Sequence, residues 1–209
     1  MKTNWGDRLD VRYYLMKRLS SMQGKKVLDV ACGNGYLLKA LPESNEKYGI
    51  DSSGESVSNA RKESPDSKVL KASMYRLPFK NDFFDTVVMA NVMPNADFKA
   101  HDEKREHNQK KAVAEAWRVL KKKGTLFLTT PNNAFYKTVK VEYQELDSLL
   151  KPFFDYKIRG WNPFPKFPYF LPARVLKHFP GWFSLLEWMT EKNLFAKKSK
   201  FFFVEAVKK

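Results

Sequence analysis

The stretch Val27-Leu28-Asp29-Val30-Ala31-Cys32-Gly33-Asn34-Gly35-Tyr36-Leu37 limits what this chain can become more than any other. An apolar run that meets an acid and then two closely spaced glycines predicts a buried strand turning sharply into a helix, with backbone N–H groups left open at the turn. Gly49-Ile50-Asp51 reads as the end of the next strand, where a carboxylate can accept hydrogen bonds from both hydroxyls of a ribose. Together these features call for a ligand that carries adenosine. A dinucleotide site would want a third glycine where the chain has Leu38, so no pyrophosphate seat is expected. Asp29, inside the motif, suits a ligand with an ammonium and a sulfonium better than a diphosphate. S-adenosylmethionine has those groups.

At this point the chain resembles the class I S-adenosylmethionine-dependent methyltransferases, in the branch that includes the ubiquinone and menaquinone biosynthesis enzymes. Their first motif, acid-x-Gly-x-Gly-x-Gly, is matched by Asp29, Ala31, Gly33 and Gly35, with Ala31 replacing a glycine. Ser73-Met74-Tyr75-Arg76-Leu77-Pro78-Phe79 and Phe83-Phe84-Asp85-Thr86-Val87-Val88 resemble the next landmarks, and Arg118-Val119-Leu120-Lys121-Lys122-Lys123-Gly124 resembles an Arg-Val-Leu-Lys-Pro-Gly-Gly signature without its Pro-Gly. The resemblance implies an α/β, Rossmann-like fold: a seven-stranded, mostly parallel sheet with an antiparallel last strand and helices on both faces. It also implies cofactor contacts from Asp29, Ala31, Cys32, Gly33, Asn34, Gly35, Asp51, Ser52, Ser73, Met74 and Asn91. Ser73 stands where the family often has an aspartate that accepts from the adenine amino group, leaving that task to the Ser73 hydroxyl or the backbone at Met74.

A coarse pass predicts strands at Lys26–Val30, Lys47–Asp51, Lys68–Lys71, Asp85–Ala90, Thr125–Thr130, Tyr156–Arg159 and Ser199–Val207. Helices are expected at Arg12–Leu19, Ala112–Leu120 and Glu142–Leu150, and the strand–helix alternation predicts right-handed crossovers. The length of 209 residues fits a single methyltransferase domain, with its core in about 20–159 and 199–209. The lone cysteine, Cys32, excludes an internal disulfide and reads as a small buried residue; with three histidines it offers no metal site. Neither a signal peptide nor a membrane-length apolar run is visible, so a cytoplasmic location is expected.

Two segments extend beyond the minimal fold. Pro94–His107 is a charged stretch after the fourth strand, and residues 160–198 form an insert rich in aromatics and prolines, read as an acceptor-side cap. Methyl transfer from a sulfonium needs no enzyme nucleophile, but a hydroxyl acceptor needs a base, and His101, His107, Tyr13 and Tyr14 are the candidates. The net charge of +15 fits an anionic membrane surface, RNA or an anionic substrate. The place that would hold a base-methylating Asn/Asp-Pro-Pro-aromatic motif reads Asn91-Val92-Met93-Pro94, which favours a small-molecule or lipid-like acceptor. An RNA-directed methyltransferase, a non-catalytic cofactor-binding partner protein and a nicotinamide-dependent Rossmann oxidoreductase are the rival readings.

Overall fold

Short apolar runs build the centre of the sheet. Lys26–Val30 forms β1, and Glu46–Asp51 forms β2 parallel to it, with Leu28 opposite Tyr48 and Asp29 opposite Gly49. Lys68–Lys71 (β3) pairs on the outer side of β2, and Phe84–Ala90 (β4) on the other side of β1. Leu120–Pro131 (β5) continues the parallel set, and Phe154–Trp161 (β6) and Phe201–Lys208 (β7) complete the sheet. The order is β3-β2-β1-β4-β5-β7-β6 in one seven-stranded sheet. Strand β7 is inserted between β5 and β6 and runs antiparallel to both, as the resemblance implied. This description, taken from a computed structural model, covers residues 14–93, 103–132, 141–161, 184, 188–194, 197, 199 and 201–209.

Helices cover both faces. Residues 14–20 are helical (α1), followed by α2 (Tyr36–Ala40), α3 (Gly54–Glu63), α4 (Glu103–Val119) and α5 (Tyr143–Leu150). On one face Val27, Val88, Phe127 and Phe203 pack with Leu15 and Leu19 of α1, Leu38 of α2 and Val57 and Ala60 of α3. On the other, Leu28, Met89, Leu126, Leu128 and Val204 meet Ala112, Val113 and Ala116 of α4 and Leu146, Leu149 and Leu150 of α5. Burial on both sides explains why these strands are near-continuous apolar runs rather than alternating ones.

Several boundaries differ from the sequence-based expectations. Helix α4 starts at Glu103 rather than Ala112, so the charged segment ending at His107 is partly helical. Its first turns are too polar to reveal an apolar stripe. Strand β5 begins at Leu120, which pairs with Phe84, but regular pairing resumes only at Thr125 opposite Thr86. Between them the lysines bulge outward, and Lys121 Nζ bonds Asp85 Oδ1 at 2.8 Å while Asp85 Oδ2 accepts from the Lys26 N–H at 2.8 Å. Asp85 thereby clamps β1 to β5. The apolar pattern also understated β6, found at Phe154–Trp161 rather than Tyr156–Arg159, while β7 runs from Phe201 rather than Ser199. No helix among the described residues is long and apolar enough to cross a membrane.

Candidate functional site

Strands β1 and β4 are neighbours at the sheet centre, and the chain leaves them toward opposite edges, so a crevice opens beyond their carboxyl ends. The loop after β1 supplies one side of it. Ala31, Gly33 and Gly35 have φ of 57°, 53° and 79°, a run of left-handed residues that folds the chain back on itself. Ala31 holds such a φ without being glycine, a strain of about 1–2 kcal/mol, which gives a physical reason for the glycine at that place in the related motif.

The amides of this loop face inward. Cys32 N–H donates to Ile50 O at 2.9 Å, Gly33 N–H to Asp51 Oδ2 at 2.9 Å and Gly35 N–H to Cys32 O at 3.0 Å. The expectation of open N–H groups therefore fails at these three positions, because the protein uses them to fix the loop. A loop so satisfied offers little to a pyrophosphate. Its two glycines do different work. A Cβ on Gly33 would meet nothing within 4 Å, whereas one on Gly35 would come within 2.9 Å of Ala60 Cα, where α2 crosses α3.

Asp51 ties three loops together. Its Oδ2 takes the Gly33 amide, its Oδ1 accepts from Ser53 N–H at 2.9 Å, and its carbonyl accepts from Ala72 N–H at 3.0 Å. Each carboxylate oxygen keeps a further lone pair. Ser52 beside it is exposed, and Ser53 caps α3 by accepting from Ser56 N–H. Asp29 is buried beneath the loop and engaged with neighbours, and exposed Asn34 accepts from Asn59 Nδ2 at 3.4 Å. Past β3, exposed Ser73 accepts at Oγ from Tyr75 N–H at 3.2 Å, leaving its proton and one lone pair, and Met74 is half-buried against the core. Asn91, at φ 58°, closes the far side: its N–H donates to Thr129 O at 2.8 Å and its Oδ1 accepts from Thr129 Oγ1 at 3.3 Å. Sequence reading missed Thr129, whose only signal was a hydroxyl near the end of an apolar strand.

Cys32 is a free, buried thiol. Burial first, then the charges of Asp29 and Asp51, push its pKa up to about 12. The reading of Cys32 as a small buried residue agrees with its place in the structure, and the thiol should stay largely unmodified by iodoacetamide at pH 8 in the native protein and react only on unfolding, as intact-mass measurement would show. The same two carboxylates put a negative potential on the loop, suited to a cationic ligand.

Of the base candidates, His107 and Tyr14 are on described elements. His107 sits exposed on α4, and His101 and Tyr13 lie outside the described residues. Tyr14 is buried, with its ring edge-on to Phe203 at 4.7 Å, and its hydroxyl donates to Glu191. Burial and that carboxylate raise its pKa well above the ordinary tyrosine value, which removes it as a base at neutral pH.

Residues 28–128 match the model of the methyltransferase domain family, which spans the glycine loop, Asp51, Asn91 and Arg118. Over that stretch the chain is similar to the methyltransferase domain family. Solved methyltransferases share the fold: one from Haloferax volcanii, in complex with the Trm112 methyltransferase activator, is 19% identical with a TM-score of 0.66, covering 97% of this chain and 91% of its own. The N-methyltransferase NodS from Bradyrhizobium japonicum is 13% identical with a TM-score of 0.63, covering 100% and 99%. An uncharacterised 37.1 kDa protein in transposon TN4556 of Streptomyces fradiae is 28% identical over 140 residues, which make up 64% of this chain and 37% of that curated relative.

The motif segments of this chain interlock. Arg118 donates to Leu77 O at 2.9 Å, Phe79 O at 2.8 Å and Asn81 Oδ1 at 2.9 Å, and pairs with Glu115. Glu115 Oε2 in turn accepts from Leu77 N–H at 2.7 Å. The Arg-Val-Leu segment thus fixes the Leu-Pro-Phe segment, and through it the approach to β4.

Proposed function

We propose that the protein transfers the methyl group of S-adenosylmethionine to a small-molecule or amphiphilic acceptor at the crevice between the β1 and β4 ends. The observation that carries this reading is the Asp51 carboxylate, fixed by Gly33 and Ser53 amides and still holding lone pairs for a ribose diol. Gly33 leaves open space on the loop, Asp29 and Asp51 supply negative potential for a sulfonium and an ammonium, and Ser73 and Met74 are placed to hold adenine. The bound cofactor supplies an activated methyl group for in-line displacement. The chain's part is orientation: the tied loops hold one side of the crevice and Asn91, locked by Thr129, the other, leaving the acceptor to approach from the β4–β5 side.

The acceptor side argues for a neutral body. Val92 and Met93 after β4 and Val141 before α5 are buried apolar residues of one cluster. The densest lysine run among the described residues, Lys121–Lys123, lies at the amino end of β5, away from the crevice. Positive charge there serves an anionic partner elsewhere better than a nucleic acid at the methyl group. Residues 160–198, proposed as the acceptor-side cap in a single domain spanning 1–209, include Trp182 and Phe183, which lie outside the described residues.

Calorimetric titration tests the site. S-adenosylhomocysteine should bind and NAD should not, and Asp51→Ala should weaken S-adenosylhomocysteine by about 1.5–3 kcal/mol. Unchanged affinity in that variant would remove Asp51 from the site.

A further inference from the structure

The amino edge of the sheet, opposite the crevice, carries charge that the fold does not use. Lys25 ahead of β1, Lys80 ahead of β4, Lys122 and Lys123 in the bulge of β5 and Lys151 ahead of β6 are all exposed. None of the five is in an ion pair among the described residues. The carboxylates beside them are taken: Asp82 binds Lys208 Nζ at 2.7 Å, Asp85 binds Lys121 Nζ at 2.8 Å, and Glu46 lies 3.4 Å from Lys26 Nζ. Glu43 ahead of β2 and Asp155 near the start of β6 are exposed carboxylates at the two ends of the row.

The β5 bulge holds its lysines out at a cost. Lys123 has φ 62°, a left-handed conformation that glycine adopts freely and lysine does not. A Cβ on the next residue, Gly124, would come within 2.8 Å of Lys121 O, so the turn is tightly closed. A lysine kept where glycine would sit with less strain points to a use for its charge.

The neighbouring side chains narrow the class of partner. Lys26 and Lys80 cover the Phe83 ring, at 4.8 Å and 5.5 Å from its centroid, and Lys208 covers Trp117 at 4.3 Å. Among the described residues Val207 is the exposed large apolar side chain at this edge. The edge therefore offers neither an aromatic platform for unpaired bases nor an apolar anchor for a bilayer. Across the four strand spacings from β1 to β6 the row is about 19 Å long. It follows the sheet edge as a line, and a phosphodiester strand is a line of charge whereas a bilayer is a plane.

We infer that this row docks the sugar-phosphate backbone of a double-stranded nucleic acid without reading its sequence. Lysine ammoniums meet phosphates as point charges, and the counterions they release make such binding steeply dependent on salt. Strand β5 needs about 13 Å to climb from Thr125 to Thr129. A duplex held at one edge thus leaves the crevice at the other free for a different acceptor, and docking fixes where the protein works rather than what it methylates.

Fluorescence anisotropy with short labelled DNA duplexes tests it. Two unrelated sequences should bind alike, and between about 50 mM and 200 mM salt the plot of log K against log salt concentration should have a slope of about −4 to −5, near 0.9 for each of five lysines. A single strand of the same length should bind more weakly, for want of a ring to stack on. Lys122→Gln combined with Lys123→Gln should reduce the slope by about 2 and weaken duplex binding at least about tenfold. A control pair of equal charge on exposed positions elsewhere, Lys62→Gln with Lys192→Gln, should bind as wild type does. Lys123→Gly should melt at or above the wild-type temperature and still hold the duplex more weakly, which a merely structural lysine would not do. Wild-type duplex affinity in the Lys122 and Lys123 variant, an equal loss in the control pair, a lower melting temperature for Lys123→Gly, tighter binding of the single strand, or binding of phosphatidylglycerol vesicles in place of the duplex would overturn the inference. S-adenosylhomocysteine affinity should be the same with and without duplex; its failure to bind while the duplex still does would remove the crevice reading and leave this one standing.

Discussion

Gly33→Val and Gly35→Val should fail in opposite ways. At Gly35 the new Cβ meets Ala60 Cα at 2.9 Å with φ at 79°, so the left-handed penalty adds to overpacking between α2 and α3. The two effects together cost about 2–5 kcal/mol, enough to lower the melting temperature by on the order of 10 °C. At Gly33 the φ is 53° but nothing lies within 4 Å, so only the backbone term remains, about 1–2 kcal/mol. Its branched side chain would instead occupy the open space assigned to the cofactor. A protein that melts close to wild type yet binds S-adenosylhomocysteine at least about 100-fold more weakly is the expected Gly33→Val result. Scanning calorimetry and titration on the pair decide it, and wild-type affinity in Gly33→Val would move the cofactor elsewhere. The two glycines look alike in the sequence, and only the contact at Ala60 tells them apart.

Arg118→Met should be the most damaging change outside the loop. It removes the donors for the Leu77 and Phe79 carbonyls and the partner of Glu115, whose carboxylate also holds the Leu77 amide. Breaking such a partly buried pair costs about 3–5 kcal/mol. The pH dependence separates this from a simple packing loss. The hydrogen-bonded Arg118 guanidinium holds the Glu115 carboxyl below its ordinary value of 4.5, so this stabilisation is complete above pH 4.5 and disappears as pH falls through the lowered value. Melting temperatures followed from pH 7 down to pH 3 should fall more steeply for wild type than for Arg118→Met. Parallel curves would mean that the ion pair contributes nothing to folding.

The sequence disclosed the parts of this molecule that depend on local pattern. Strands β1 and β4 were visible because both faces are buried, which forces near-continuous apolar runs. Strand β5 was half hidden because its lysines interrupt the run while still belonging to the strand. Asp51 was legible as a carboxylate ending a strand, but its grip on the Gly33 amide depends on two loops meeting in space. The burial of Gln109 on α4 was overlooked because a polar residue on an apolar stripe counts against the stripe in a periodicity argument, although the 109, 112, 113, 116 spacing would have placed it there. Asn91 and Thr129 are far apart in the chain, and only the adjacency of β4 and β5 joins them.

The position of β7 has a consequence for how the molecule is made. Residues 201–208 fill the slot between two strands synthesised well before them, so β5 and β6 each leave the ribosome with an unpaired edge. At elongation rates of about 5–20 residues per second, several seconds pass before the missing strand emerges. Over that interval the nascent chain displays aromatic and aliphatic strand edges of the kind that recruit other chains, and Phe201, Phe202 and Phe203 arrive in an equally adhesive state. Final assembly of the sheet is therefore a late, non-local step, and the yield of folded protein in a cell should be governed less by its equilibrium stability than by how well chaperones occupy those edges while the last strand is still being translated.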